Sequence, residues 1–207
     1  MAEGEVAGGV QIRRALVVGG ARCVWRDLNA ALELTTYDAV LCVNDVGTVY
    51  EDPIQYWCTL HPEKFHKWQS LRAENGFNTD YQAWSYEQNS PLETREVKPR
   101  IDKWTDYRYP GTDGSGSSGL FAVKVAQEQG FNRIVLAGVP MKGTEAHFFD
   151  DKPWSERDQF LVAWEIAKPF LRDTVRSMSG WTRKLLGAPT PQWLAGEQPQ
   201  TSGADHG

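Results

Sequence analysis

The chain has 207 residues, of which 41% are hydrophobic and 24% are charged, and its formal net charge is -5. These values are typical of a single globular domain, with or without a tail, and the acidic balance argues against a surface built to bind nucleic acid. No apolar run approaches membrane-spanning length, and residues 1–11 lack the basic-then-apolar pattern of a signal peptide. We therefore expect a cytoplasmic protein.

The number and spacing of the cysteines and histidines argue against disulfides and against a metal site. Cys23, Cys42 and Cys58 are an odd number without CxxC spacing, and two of them lie in apolar stretches. This pattern is typical of reduced core thiols in a cytosolic protein. The four histidines are scattered, with no pair at the spacing of zinc ligands. We therefore expect no metal site.

The first half of the chain alternates short apolar runs with helical patterns, as in a parallel sheet. Residues 1–12 are expected to be a flexible leader. The predicted elements are then, in chain order, a strand at 15–18, a helix at 25–34, strands at 37–43 and 54–60, and a helix at 62–74 begun by proline.

The second half begins with an irregular insertion at 75–116, in which short strands are predicted at 83–86 and 97–101. The clearer elements are a helix at 118–128, a strand at 133–139, a helix at 155–172 and a disordered tail at 187–207. Helix, glycine and strand in this order complete a βαβ unit. The sequence therefore predicts one α/β domain over 13–186, a Rossmann-like three-layer fold with a mostly parallel sheet and a C-terminal helix.

Two strand ends carry candidate ligand contacts. Gly19, Gly20 and Arg22 lie between a strand and a helix, where backbone N–H groups and a guanidinium can bind phosphate. Asn44 and Asp45 end the second strand, at the edge where open α/β sheets bind ligands. A tight turn without ligand and an Asx-turn are the alternatives for the two segments.

A third candidate is the small-residue loop that opens the helix at 118–128. Ser117, Ser118 and Gly119 place a helix N-terminus beside flexible backbone, which is an anion-binding arrangement. The alternative is a serine that only caps the helix.

The histidine chosen as a general acid or base is His147, which follows the clearest strand; histidine is the residue type best suited to proton transfer near neutral pH. His61, at the end of the third strand, is its competitor. Lys142 and Arg176 are accessory candidates for a phosphate, although the segment around Arg176 also fits a turn anchored by a tryptophan.

Four blocks of sequence resemble the small bacterial sialyltransferases that use CMP-sialic acid, and the related archaeal pterin diphosphokinase-like proteins. The blocks are Leu16 to Arg22, Val40 to Asn44, Ser118 to Ala122 and Ile134 to Val139. The resemblance implies a Rossmann-like sheet and a nucleotide-sugar donor, with no metal required. The stretch Val175 to Gly187 also resembles segments of phage and prophage proteins, which suggests a phage origin.

In those sialyltransferases the first loop and the asparagine hold the nucleotide, the Ser-Gly loop contacts the donor, and a downstream histidine is the base. These roles fall here on Gly19, Gly20, Asn44, Ser118, Gly119 and His147. The chain departs from the family in having Gly20-Ala21-Arg22 in its first loop and Pro140 in place of an acidic residue.

The resulting hypothesis is a nucleotide-dependent transferase, most simply a glycosyltransferase with a histidine base. The acceptor stays open, and the acidic net charge disfavours DNA. Two alternatives remain at this stage. The first is a non-catalytic protein that sequesters a nucleotide. The second is a diphosphokinase-like enzyme that needs Mg²⁺, for which Asp45 and Asp113 are the candidate ligands.

Overall fold

Seven parallel strands form one sheet in the order β5-β4-β3-β2-β1-β6-β7. The computed structural model describes residues 11–92, 100–114, 116–141, 146–150 and 157–197. The strands are β1 (Arg14–Val18), β2 (Ala39–Val43), β3 (Tyr56–Thr59), β4 (Gln82–Tyr86), β5 (Lys103–Thr105), β6 (Arg133–Ala137) and β7 (Val175–Ser177).

Helices cover both faces of the sheet. They are α1 (Val24–Leu34), α2 (Pro62–Glu74), α3 (Ser118–Glu128), α4 (Arg157–Leu171), α5 (Gly180–Leu186) and α6 (Pro191–Ala195). Buried side chains of α1, α2 and α6 share one core with the sheet, and those of α3, α4 and α5 share the other. The chain is therefore a three-layer α/β fold of the Rossmann-like type.

The apolar runs of the central strands are explained by burial on both faces. In β1, Ala15 and Val17 pack into one core while Leu16 and Val18 pack into the other, and all four are 0% exposed. A strand covered on both sides needs apolar residues at every position, so it reads as a continuous run rather than an alternation. This is why β1 and β6 are the easiest strands to find in the sequence.

The chain order creates one switch point in the sheet. From β1 the strands progress outward to β5, and the chain then returns through α3 to place β6 on the other side of β1. All strand carboxyl ends lie at the same edge because every pairing is parallel. In open α/β sheets the crevice outside the carboxyl ends at such a point is the usual ligand site.

Most predicted elements are confirmed, and the helices at 62–74 and 118–128 have the predicted bounds. Of the strand predicted at 97–101, residues 97–99 lie outside the described part of the chain and residues 100–101 are not in a strand, while β5 lies at Lys103–Thr105. The sequence analysis did not predict β7, because three residues with two polar side chains carry almost no periodic signal.

The prediction of a disordered tail is wrong for residues 187–197. This segment contains α6, whose Leu194 is only 2% exposed. The Trp193 ring lies against the guanidinium groups of Arg133 and Arg176, at 5.3 and 4.9 Å from its centroid. Two cation–π contacts and one buried leucine thus hold α6 on the amino edge of the sheet. In the described part of the chain, none of the helices has the length and apolar character needed to cross a membrane.

Candidate functional site

The His147 imidazole lies against Gly20 at the switch point between β1 and β6. Ala21 and His147 form an isolated antiparallel bridge, in which the Arg22 N–H donates to the Ala146 carbonyl at 3.0 Å and the Phe148 N–H donates to the Gly20 carbonyl at 2.9 Å. A Cβ atom on Gly20 would lie 2.3 Å from His147 Nε2. Glycine is therefore required here to let the imidazole approach the backbone.

Asp45 faces this imidazole from the end of β2. Its Oδ1 lies 3.2 Å from His147 Nε2. Asp45 Oδ1 and His147 Nδ1 are buried, and neither makes a hydrogen bond of ordinary geometry. The His147 side chain is still 35% exposed. The pair thus combines a carboxylate, an imidazole and unused hydrogen-bonding capacity at the edge where a ligand can enter.

Aromatic rings enclose the imidazole on one side. The Phe148 and Phe149 ring centroids lie 4.8 and 4.2 Å from that of His147, and Trp25 on α1 makes an edge contact with Phe148 at 6.1 Å. Phe149 is 64% exposed, which is unusual for a large apolar ring. The site therefore presents an apolar surface next to the histidine–carboxylate pair.

A buried arginine on α2 holds the turn that carries Asp45. Arg72 is 0% exposed, and its Nη1 donates to the carbonyls of Gly47 at 2.8 Å and Tyr50 at 2.7 Å. Burial lowers the pKa of this guanidinium. Because a buried cation without such partners is costly, the interaction fixes the 3-10 helix Asn44–Thr48 on α2. The position of Asp45 thus depends on a residue of the neighbouring helix.

Asn44 is engaged within the protein. Its φ of 55° places it in the left-handed region, its carbonyl accepts from Trp57 Nε1 at 2.6 Å, and its Oδ1 accepts from Thr59 Oγ1 at 3.0 Å. Asparagine tolerates this conformation better than most residues. The contacts support the turn interpretation of Asn44, and they leave its amide nitrogen as the group that can face a ligand.

The first glycine loop, residues 19–22, is packed rather than open. The N–H groups of Gly19 and Ala21 donate to the carbonyls of Ala137 at 2.8 Å and Gly138 at 3.1 Å. A Cβ on Gly19 would lie 2.6 Å from the Gly138 carbonyl oxygen. The glycines therefore serve the close approach of two loops, and the Gly19 N–H, one of the groups predicted to bind a phosphate, is already engaged within the protein. The Arg22 side chain is exposed on the rim of this loop.

A buried carboxylate that the sequence analysis missed explains the packing. Asp27, in the first turn of α1, is 3% exposed and accepts from the Gly138 N–H at 3.2 Å and from the Ser179 hydroxyl. The exposed Arg26 also contacts it at 3.1 Å. The only sequence signal was an acidic residue near a helix start, which many exposed helices share. The carboxylate fills the electropositive end of α1 and would repel an added phosphate there.

The N-terminus of α3 lacks such a carboxylate. Ser117 caps the helix, its Oγ accepting from the Leu120 N–H at 3.3 Å and from Trp164 Nε1 at 3.1 Å, and no acidic residue occupies the first turn. The predicted ligand role of the Ser117 side chain thus gives way to its alternative, helix capping. Ser118 and Gly119 form the first turn, where backbone N–H groups have no partner within the helix. This helix end is the better anion site of the two.

Two of the accessory candidates, His61 and Arg176, make their described contacts with residues other than His147. His61 precedes α2, its Nδ1 3.3 Å from Glu63 Oε1. Arg176 is placed wrongly by the prediction: it donates to the Val175 carbonyl at 2.8 Å and stacks on Trp193 towards the amino edge. The role of Arg176 was predicted from residue types alone, whereas its position is fixed by the strand β7 that contains it. Lys142 lies outside the described residues.

The comparisons with known proteins leave the family open. No family model, curated protein or solved structure matches the chain. Within the described ranges, no cluster of three or more histidine, cysteine, aspartate or glutamate side chains is arranged to hold a metal ion. The site must therefore be interpreted from its own geometry.

Proposed function

We propose that the chain is a nucleotide-dependent transferase that uses a nucleotide-sugar donor, with His147 as its general base. The observation that carries the proposal is the His147–Asp45 pair, 3.2 Å apart, at the switch point of the sheet. Carboxylate–imidazole pairs orient the ring and stabilise its protonated form, which is what a general base requires. The resemblance to small bacterial sialyltransferases supports the choice of donor.

The proposed step uses the imidazole as a base that Asp45 orients. The ring takes the proton of an acceptor hydroxyl, while the Asp45 carboxylate, 3.2 Å from Nε2, holds the ring in place. The acceptor oxygen attacks the anomeric carbon as the bond from that carbon to the phosphate oxygen breaks. The nucleotide leaves with that electron pair, and Asp45 stabilises the imidazolium formed.

The donor phosphate is proposed to bind at the first turn of α3 rather than at α1. Ser118 and Gly119 open a helix without a first-turn carboxylate, whereas Asp27 occupies the corresponding end of α1. A helix N-terminus stabilises the charge on a departing phosphate through its N–H groups and dipole. Arg22, which is exposed, is a second candidate for this charge.

The test is a thermal-shift screen of the full chain against CMP- and UDP-type nucleotides and nucleotide sugars, with and without Mg²⁺. A ligand that binds only the native state raises the melting temperature. We expect a nucleotide sugar to do so without Mg²⁺, and we expect slow release of the nucleotide from that donor. No shift with any nucleotide would refute the proposal.

Two variants then assign the base. We expect His147→Ala to lower turnover by about 100-fold or more while nucleotide binding persists, and Asp45→Asn to lower it less. The matched control is His61→Ala, which removes another histidine beside a carboxylate at the same edge. If His61→Ala abolishes turnover and His147→Ala does not, His61 is the base. Nucleotide binding without product from the wild-type chain would favour a sequestering protein.

A further inference from the structure

Helix α4 is apolar on its outer face as well as on the face that it buries. The side chains that pack into the core are fully buried: Trp164, Ala167 and Leu171. A second apolar row, which we call the outer stripe, follows the exposed face at helical spacing: Val162, Ile166, Pro169 and Phe170. Val162, Ile166 and Phe170 are 58%, 37% and 47% exposed. A surface helix of a monomer presents polar residues to water, so this stripe indicates a further packing partner.

Elsewhere on the protein, exposed apolar side chains are dispersed. The other large ones among the described residues are Trp25, Leu32, Leu71 and Phe149. They belong to α1, to α2 and to the aromatic surface beside His147. Single exposed apolar residues are ordinary, whereas a continuous row on one helix marks an interaction surface.

The outer stripe is held in a fixed position. The Phe170 ring packs against the buried Tyr109, with their ring centroids 6.0 Å apart. Gln127 of α3 donates to the Phe170 carbonyl at 2.9 Å and to Thr174 Oγ1 at 2.8 Å. A surface that is already ordered loses little conformational entropy when a partner binds, which favours association.

The charges along one border of the stripe change sign at Ile166. Asp158 and Glu165 precede Ile166, whereas Lys168 and Arg172 follow it, and all four are exposed. With 3.6 residues per turn, these four positions project from the same side of the stripe. The border is therefore acidic towards the amino end of α4 and basic towards its carboxyl end.

Such a border is complementary to its own reversed copy. When a two-fold axis relates two antiparallel helices, the same border of each helix meets the other and runs in the opposite direction. With the axis near Ile166, Glu165 faces Lys168 of the second copy, and Asp158 faces Arg172 of the second copy. A parallel arrangement would instead bring each charge against its own copy, which is unfavourable.

We propose that the outer stripe of α4 is the interface of a homodimer, in which two copies of α4 pack antiparallel about a two-fold axis near Ile166. The balanced charges of the border favour a second copy over an anionic membrane, because helices that bind such membranes carry mainly lysine and arginine. The stripe shares no residue with the proposed transferase site. The dimer and the transferase therefore stand or fall separately.

The first test measures the oligomeric state of the full chain by analytical ultracentrifugation, from about 1 μM to about 1 mM. We expect a dimer that dissociates on dilution or persists throughout. Ile166→Asp places a carboxylate at the centre of the stripe and should raise the dissociation constant by about 100-fold or more. The matched control is Leu32→Asp, at an exposed leucine of α1, which should leave it unchanged. Thermal melting confirms that each variant is folded.

Charge reversal then tests the antiparallel pairing. Glu165→Lys and Lys168→Glu each place like charges together twice in the dimer, so each should weaken it by about tenfold. The double variant restores opposite charges across the axis and should regain the wild-type dissociation constant. Association through apolar surface alone would show no such recovery.

Crosslinking locates the axis. The three native cysteines are buried, so an introduced thiol can be followed alone. Ile166→Cys should form a disulfide-linked dimer when dissolved oxygen oxidises the two thiols. Val162→Cys should not, because antiparallel packing separates the two copies of this position by about 12 Å along the helices.

Four results would overturn the inference. They are a monomer at every concentration, a dimer unaffected by Ile166→Asp, a double charge variant no stronger than either single one, and equal crosslinking at positions 162 and 166. Transferase activity enters none of these measurements, so failure of the proposed function would leave the dimer standing.

Discussion

The two glycine-rich loops look alike in the sequence and differ in the structure. The first glycine loop, residues 19–22, is closed: the N–H groups of Gly19, Ala21 and Arg22 donate to protein carbonyls, and added Cβ atoms at Gly19 and Gly20 would collide with neighbouring atoms. The second glycine loop, residues 111–119, borders a groove, and a Cβ at Gly114 would meet open space. Similar composition thus serves close packing in one place and access in the other.

Position in the sheet explains the difference. The first loop leaves the central strand β1 and is enclosed by α1 and by the segments that follow β6 and β7. The second loop follows the edge strand β5 and faces α4 across the groove. A glycine loop at the centre of the sheet is therefore packed by neighbouring segments, whereas a glycine loop at its side borders open space.

The largest effect is expected from Gly138→Ala, which breaks the packing of the first loop. Gly138 has a φ of 68°, and its added Cβ would lie 2.5 Å from the Gly19 carbonyl oxygen and 2.7 Å from Val24 Cβ. Backbone strain and a clash that no side-chain rotation can relieve should lower the free energy of unfolding by about 3 kcal/mol or more. Urea denaturation measures the change, and a loss below about 1 kcal/mol would show that this loop is less tightly packed than the structure indicates.

A smaller loss is expected from Asp27→Asn. The substitution keeps the shape but weakens the contacts to the Ser179 hydroxyl and the Gly138 N–H, at a cost of about 1–3 kcal/mol. The measurement is again urea denaturation, with the exposed Asp38→Asn as a matched control. Equal effects of the two substitutions would contradict a special role for the carboxylate beneath the first loop.

Alkaline pH should weaken the sheet under both loops alike. Burial raises the pKa of the Cys42 and Cys58 thiols, so the folded chain keeps protons that the unfolded chain loses above about pH 8.5. The free energy of unfolding should fall as pH rises past this value, by up to about 1.4 kcal/mol per pH unit for each thiol. Denaturation at pH 7 and pH 9.5 tests this, with Cys42→Ala reducing the slope. Stability that rises over this interval would refute it.

The smallest effect is expected from Gly114→Ala in the second loop. Because the added methyl meets nothing and φ is not positive, the free energy of unfolding should change by less than about 0.5 kcal/mol. Its difference from Gly138→Ala measures how unlike the two loops are. Comparable losses from both substitutions would remove the distinction.

The fold was predictable because its central strands are buried on both faces. Continuous apolar runs identified β1, β2 and β6, and glycine or proline marked the limits of α2 and α3. Short elements held by long-range contacts, such as β7 and α6, were not predictable, since Trp193 is ordered by two arginines distant in sequence. Their stability comes from partners that no local pattern reveals.

The candidate site was predictable in part. The strand-end rule placed Asp45 and His147 at one edge, and the structure brings them together. The roles within the first loop were not predictable, because whether a glycine faces a ligand or a neighbouring loop depends on what packs above it. The role of the buried Asp27 likewise depends on burial, which the residue type does not disclose.

The central strand β1 pairs with β2, which is synthesised soon after it, and with β6, which is synthesised much later. On one side β1 is matched by Ala39 and its neighbours soon after it emerges, but on the other side Ala15 waits for Ile134. Until β6 leaves the ribosome, one edge of this buried strand keeps unpaired N–H and C=O groups, which can pair with other nascent chains. Vectorial folding of this protein is therefore completed late, and ribosome-bound chains that end before residue 133 are where chaperone contact on this edge is to be sought.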